Sequence, residues 1–430
     1  MKNNPQKVLI ISPAVFTSKM AGPAIRYYWM AKALKDRVNL EIVAPAIDHS
    51  FNEFEITHMR DTKKAIKRSH IIILGSMPPK FWSSIYNLWN KKVIFDLYIP
   101  SIMEGRILYQ HFPSWLKKIV LSRDKIAFNL SLELGDFFLC ANPKQKNLYL
   151  EMLHAIKRSN LFLAVNSSVD RAVAIVPFGI DPKPPIHNKN SIKGVIPGIA
   201  RDDKVLLWGG GIWNWFDPLT LIRAMNIISK KNSKIKLFFL GVKPPTPGMQ
   251  KMVMTSRAIE LSKRLGLYNK TVFFNNEWVP YKLRHNYLME SDLGLSCHFD
   301  NIETEFSFRT RILDYLWCEL PIISTKGDYF AQLIQDNNLG KVVDYENPEE
   351  LAEAINKLLQ DREVYAQIKQ NIKRIKKDYY WTEILKPVIQ VCENKFPRIP
   401  KNKLKILGLV SVYYIWHIFY KLNEKQILNQ

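Results

Sequence analysis

Short apolar runs punctuate this chain at regular intervals. They are VLIIS at 8–12, VNLEIVAP at 38–45, HIIILGSMPP at 70–79, KKVIFDLYIP at 91–100, GDFFLC at 135–140 and AIVPFGID at 174–181. A second series follows: KVLLWGGG at 204–211, IKLFFLG at 235–241, TVFF at 271–274, DLGLS at 292–296 and PIIST at 321–325. Runs this short and this apolar predict strands buried on both faces. Between them the period changes to that of a helix. GPAIRYYWMAKAL at 22–34 opens with Gly22 and Pro23, a residue suited to a first helical position. Asp217 and Pro218 form a cap and first-turn pair for PLTLIRAMNIISK. From 309 to 318 the residues Ile312, Leu313, Leu316 and Trp317 fall on one helical side. Strand, loop, helix and strand in alternation predict βαβ units and parallel sheets, which bind ligands at the carboxyl ends of their strands.

The proline-rich stretch 182–203 lacks apolar periodicity and reads as a linker between domains at 1–181 and 204–377. A length of 430 residues agrees with two domains rather than one. The formal charge of +23 points to a polyanionic neighbour. The basic residues are dispersed and no nucleic-acid-binding pattern is present, so an anionic membrane or a phosphorylated substrate is the expected partner, not nucleic acid. Cys140, Cys297, Cys318 and Cys392 are scattered without a CxxC, as expected of reduced thiols in the cytoplasm. Lys2 and Lys7 lead directly into the first strand, and no signal peptide is evident.

Candidate chemistry gathers at 300–314, where Asp300, Glu303, Glu305, Arg309, Arg311 and Asp314 crowd the start of a helix. The helix dipole disfavours cations there, so Arg309 and Arg311 need a reason, and a bound diphosphate is one. Ser307 and Asp314 lie seven residues apart, roughly 10 Å along a helix, the reach from a diphosphate to ribose hydroxyls. The alternative is a surface helix with an Arg311–Asp314 pair. Gly209, Gly210 and Gly211 directly after a strand make a loop whose amides can approach a ligand, with Trp213 and Trp215 in the same loop. Asp96 closes a strand and either faces a cleft or forms a turn. Gly22 either admits a ligand to the backbone or caps a helix, with Arg26 one turn on; Trp278 either meets a ligand or fills the core.

Residues 303–327, with LDYLWCELPII, and 205–224, VLLWGGGIWNWFDPLTLIRA, resemble the family-4 retaining glycosyltransferases of GT-B fold, a likeness that runs from about 8 to 395. The resemblance implies an α/β fold of two Rossmann-like domains facing across a cleft. The N-terminal domain would take the acceptor and the C-terminal domain a nucleotide-diphosphate sugar. Asp314 matches the family's ribose-gripping acid. Glu303 or Glu305 takes the place of the first acid, although Glu305 and Asp314 have eight residues between them where the family has seven. Asp96 would face the transferred sugar or acceptor, the Gly22–Arg26 loop the diphosphate or acceptor, and Trp278 the base. The family's glycine loop carries an Arg and a Lys that are missing from GGGIWNWFDP, so Arg309 and Arg311 are the expected substitutes. No metal or other cofactor is expected. The segment 378–394, with Pro387, resembles the family's kinked returning helix. The implied role is transfer to a glycan or lipid-linked acceptor in cell-envelope polysaccharide synthesis. A nucleotide-sugar epimerase of the same fold and a basic nucleic-acid binder are the competing readings.

Residues 404–420, LKILGLVSVYYIWHIFY, are apolar on every side of a helix. Such a helix lies in protein or in lipid, and 17 residues span ~26 Å, at the short limit for a bilayer. With a net +5 over 397–430, the expectation is a tail dipping into the anionic inner face of the plasma membrane, or else packing on the first domain.

Overall fold

The computed structural model describes residues 6–45, 53–54, 56–75, 84–163, 165, 168–242, 252–394 and 396–429. The end of the apolar run at 70–79 lies outside the described residues. The chain separates into two compact units, one built from 1–177 with 382–430 and the other from 178–381.

The first unit holds a seven-stranded sheet made of β1 (Lys7–Ile11), β2 (Asn39–Ala44), β3 (Ile56–His58), β4 (Ile71–Leu74), β5 (Lys92–Asp96), β6 (Phe137–Cys140) and β7 (Val173–Ile175). Their order is 3-2-1-4-5-6-7, and every pairing is parallel. All four residues of β4 and of β6 are buried, so these runs carry no polar alternation. That is the signature of a sheet covered on both faces.

The second unit repeats the plan with β8 (Lys204–Trp208), β9 (Ile235–Phe239), β10 (Val272–Phe274), β11 (Leu293–Ser296), β12 (Ile322–Thr325) and β13 (Gly340–Val343). The order is 10-9-8-11-12-13, again all parallel. Strand order reverses between β8 and β11. The crevice beyond the carboxyl ends at such a switch point is the ligand position in doubly wound sheets. The glycine loop leaves β8 and the charged cluster leaves β11, so both fall at this point.

The stretch 182–203, expected to be a linker, is folded onto the second unit. The Glu290 carboxylate accepts from the amides of Ser191, Ile192 and Lys193 at 2.7–2.8 Å. The chain leaves the second unit at Trp381 through a short helix, Trp381–Ile384, followed by another at Lys386–Glu393. Pro387 sits in the first turn of the latter, where its missing N–H costs nothing.

The tail is one helix, Lys403–Leu422. One side of it packs on the first unit, with Ile406 at 0% and Tyr413 at 1% exposure inside that unit's core. Of the two placements expected for the tail, packing on the first domain is met along this side, where the Ser114–Leu134 helix receives it. Among the described residues no helix is long and apolar enough to cross a membrane.

Candidate active site

Tyr315 fixes the switch point. Its hydroxyl accepts from the Gly209 amide at 2.8 Å and shares its proton between Leu295 O (2.8 Å) and Leu207 O (3.0 Å). One side chain thereby ties β8, β11 and the glycine loop together. The ring passes over Gly294, where a Cβ would come within 2.5 Å of it, so the glycine in DLGLS is a packing requirement. Gly209 accordingly offers no free amide, contrary to its expected part in a phosphate cradle. Gly210 adopts φ +78° with open space around it, a conformation that suits glycine. Gly211 turns its carbonyl to Arg311 Nη2 (2.9 Å) and Trp208 Nε1 (3.2 Å). Trp213 and Trp215 stack on each other at 5.8 Å, and Asn214 between them in sequence accepts at Oδ1 from the Met254 amide.

The charged cluster divides into two kinds of arginine. A first helical turn, Ile302–Phe306, is capped by Asn301 accepting from the Thr304 amide. The chain becomes extended at Ser307 and the Thr310–Trp317 helix begins after Arg309. This break folds Arg309 back onto Glu303 in a bidentate pair at 2.8 and 2.7 Å, with both side chains buried. Arg309 also reaches Thr304 Oγ1 at 3.2 Å, and its Nε lies 3.8 Å from Asp328 Oδ2. Its charge is internally neutralised. The expectation of joint diphosphate binding by Arg309 and Arg311 is corrected on this point, and Glu303 is locked as a counterion instead of being a catalytic group.

Arg311 differs. It is 7% exposed, and its guanidinium lies 4.1 Å from the Trp208 ring and 4.0 Å from the Phe216 ring. No carboxylate lies within 4.0 Å of it among the described residues, and its Nη1 has no hydrogen-bond partner. Burial lowers its pKa to about 10. The surface Arg311–Asp314 pair does not form. Asp314 Oδ1 accepts instead from Arg284 Nε at 2.9 Å, with a third of the Asp314 side chain exposed. Arg284 sits on the Tyr281 and Trp317 rings at 3.9 and 4.6 Å and donates to Tyr281 O. Burial opposes its charge, yet Asp314 outweighs this and the net pKa is raised. Arg284 gave no sign in the sequence, since YKLRHNY reads as an ordinary helix start.

Glu305 is exposed in the Ile302–Phe306 turn, two residues before the break. Trp278 is half-buried and packs at Gly241, where a Cβ would lie 3.2 Å from its ring, beyond the end of β9. His298, which the sequence did not single out, follows β11. It is held neutral by burial and the neighbouring Arg309, its Nε2 3.0 Å from Lys326 O and its Nδ1 without a partner. Among the described residues no three His, Cys, Asp or Glu side chains are grouped to hold a metal ion.

In the first unit, Asp96 and Arg26 come together. Arg26 Nε and Nη2 donate to the two Asp96 oxygens at 2.7 Å each, and the remaining donors reach Val176 O and Pro177 O. Both side chains are fully buried. With both oxygens committed to Arg26, Asp96 turns neither to a ligand, so the catalytic role expected of Asp96 and the ligand role expected of Arg26 give way to a structural ion pair. Gly22 begins the Gly22–Leu34 helix that presents Arg26 to β5.

Residues 196–375 match the family described as Glycosyl transferases group 1. Among solved structures, WaaG, a glycosyltransferase involved in lipopolysaccharide biosynthesis, is 14% identical with a TM-score of 0.65, covering 90% of this chain and 100% of its own. Anabaena Alr3699/HepE in complex with UDP-glucose is 14% identical with a TM-score of 0.62, covering 88% of this chain and 96% of that one. Sucrose-phosphate synthase from Thermosynechococcus elongatus is 14% identical with a TM-score of 0.60, over 90% of this chain and 98% of that one. No curated protein matches the sequence. Residues 196–375 thus match glycosyl transferases group 1, and the chain is a glycosyltransferase of GT-B fold with two Rossmann-like domains.

Proposed function

We propose that the chain moves a sugar, with retention, from a nucleotide-diphosphate sugar to a glycan or lipid-linked acceptor in cell-envelope polysaccharide synthesis. The observation that carries the donor reading is Arg311. A buried cation without a counterion sits behind the glycine loop at the switch point, and a diphosphate would supply the missing negative charge. One turn along the same helix, Asp314 keeps one oxygen on Arg284 and has Oδ2 to accept a ribose hydroxyl. The complex of Anabaena HepE with UDP-glucose supports a nucleotide-sugar donor, and the lipopolysaccharide role of WaaG supports an envelope acceptor.

In this reading the bond from the anomeric carbon to the diphosphate breaks while the acceptor oxygen bonds to the same face. The acceptor proton passes to the departing phosphate oxygen. Arg311 and the loop around Gly210 and Gly211 stabilise the charge that develops on the leaving group, the dominant need of such a transfer. Glu305, exposed in the Ile302–Phe306 turn, is the carboxylate this reading places toward the sugar.

The test is calorimetric titration of the full chain with nucleoside diphosphates and their sugars, followed by detection of nucleotide release with acceptor present. Saturation by a nucleoside diphosphate at one site is expected. Failure of every nucleoside diphosphate to bind overturns the reading.

A further inference from the structure

The Lys403–Leu422 helix buries one face in the first unit and leaves another bare. Leu404 is 83% exposed, Val412 42%, Ile415 54%, Ile418 57%, Phe419 47% and Leu422 76%. With Gly408 between Leu404 and Val412, these positions recur every three or four residues and form one stripe along the helix, in which the exposed Ser411 turns its hydroxyl back to Leu407 O. Six large apolar side chains in a row on one surface helix are an interaction face, not scattered exposure.

The charges around the stripe identify its occupant. From 403 to 422 there is no Asp or Glu. Lys403 and Lys405 stand at one end, Lys421 and Lys425 at the other, with Glu424 beside them in sequence. Lys405 is paired with Glu133 and Lys421 with Glu424, while Lys403 and Lys425 are exposed. An apolar centre with basic ends is the pattern of a helix lying at the boundary between acyl chains and anionic headgroups. Tyr414, 41% exposed on the flank, suits the same depth. Spanning is excluded by the helix's own packing: Ile406 and Tyr413 are held in the protein core, and Arg123 lies 3.8 Å from the Tyr420 ring.

We infer that this stripe is a docking face for an anionic lipid bilayer, which holds the first unit on the membrane with the helix parallel to its surface. The inference goes beyond the nucleotide reading and is independent of it, because the stripe belongs to the first unit and Arg311 to the second.

The experiment is flotation of the full chain with vesicles of phosphatidylcholine, with and without phosphatidylglycerol. The expected result is binding to the phosphatidylglycerol vesicles that weakens with salt and falls about tenfold or more in the double variant Ile415→Glu, Phe419→Glu, which places two charges in the exposed stripe. Lys403→Gln with Lys425→Gln is expected to reduce the preference for phosphatidylglycerol. Nucleoside diphosphate affinity, measured on the same variants, reports that the second unit is intact. Unchanged vesicle binding in the double variant overturns the inference. So does equal binding to both vesicle types, or a dimer that the double variant dissolves while the parent ignores vesicles.

Discussion

Replacing Arg311 by Met is expected to move stability and ligand affinity in opposite directions. The guanidinium is buried, unpaired, and donates one hydrogen bond, to Gly211 O. The fall of its pKa from 12.5 to about 10, caused by burial, corresponds to roughly 3 kcal/mol against keeping the charge in place. Contacts with Trp208 and Phe216 and the Gly211 hydrogen bond return ~1–2 kcal/mol of that. Met keeps the stem volume and removes the charge, so the empty protein is expected to gain ~1–2 kcal/mol in urea unfolding. A bound diphosphate would pair with Arg311, and loss of one charge-assisted contact costs ~1.5–3 kcal/mol, about 10- to 150-fold in Kd. Arg311→Lys keeps the charge without the planar fork and is expected to fall between. The assay is calorimetric titration with a nucleoside diphosphate beside urea unfolding of the same preparations. Unchanged affinity in Arg311→Met refutes the site. A parallel loss of stability and affinity shows instead that Arg311 is a structural cation.

Three further outcomes follow from the geometry. Asp314→Asn is expected to weaken nucleoside diphosphate binding by ~1.5–3 kcal/mol while leaving inorganic pyrophosphate binding unchanged, because the carboxylate addresses the ribose; an equal loss of both defeats that role. Asp96→Ala strands Arg26 as a buried lone charge and is expected to cost ~3–5 kcal/mol in urea unfolding; a full loss of transfer at unchanged stability would restore a catalytic Asp96. Burial raises the Asp328 carboxyl to about 6, so the folded protein holds that proton more tightly than the unfolded chain. Its contribution is therefore greatest below about pH 4 and declines as pH rises to about 6, and Asp328→Asn should flatten that slope in urea midpoints measured across the window.

The strands were legible because a parallel sheet covered on both faces needs unbroken apolar runs, and VLIIS, IIIL and FFLC have no other use for such composition. The glycine loop, the Asp217 cap and the charged helix start were legible for the same local reason. Asp217 does accept from the Leu219 and Thr220 amides. What the residues could not reveal was who pairs with whom. Glu303 and Arg309 are six apart, a spacing no continuous helix brings together, and only the extended turn at Ser307 closes it. Asp314 chose Arg284, 30 positions away, over Arg311, which lies nearer in sequence. Asp96 and Arg26 each read as ligand-facing because their partner lay 70 residues off. The tail shows the same division. Its apolar composition belongs to the sequence, but which side faces protein and which is left bare was decided by the Ser114–Leu134 helix against which it folds. Local chemistry determined the elements and their ends; long-range pairing, set by topology, decided that Arg309 and Asp314 of the charged cluster are paired and that Arg311 has no carboxylate beside it.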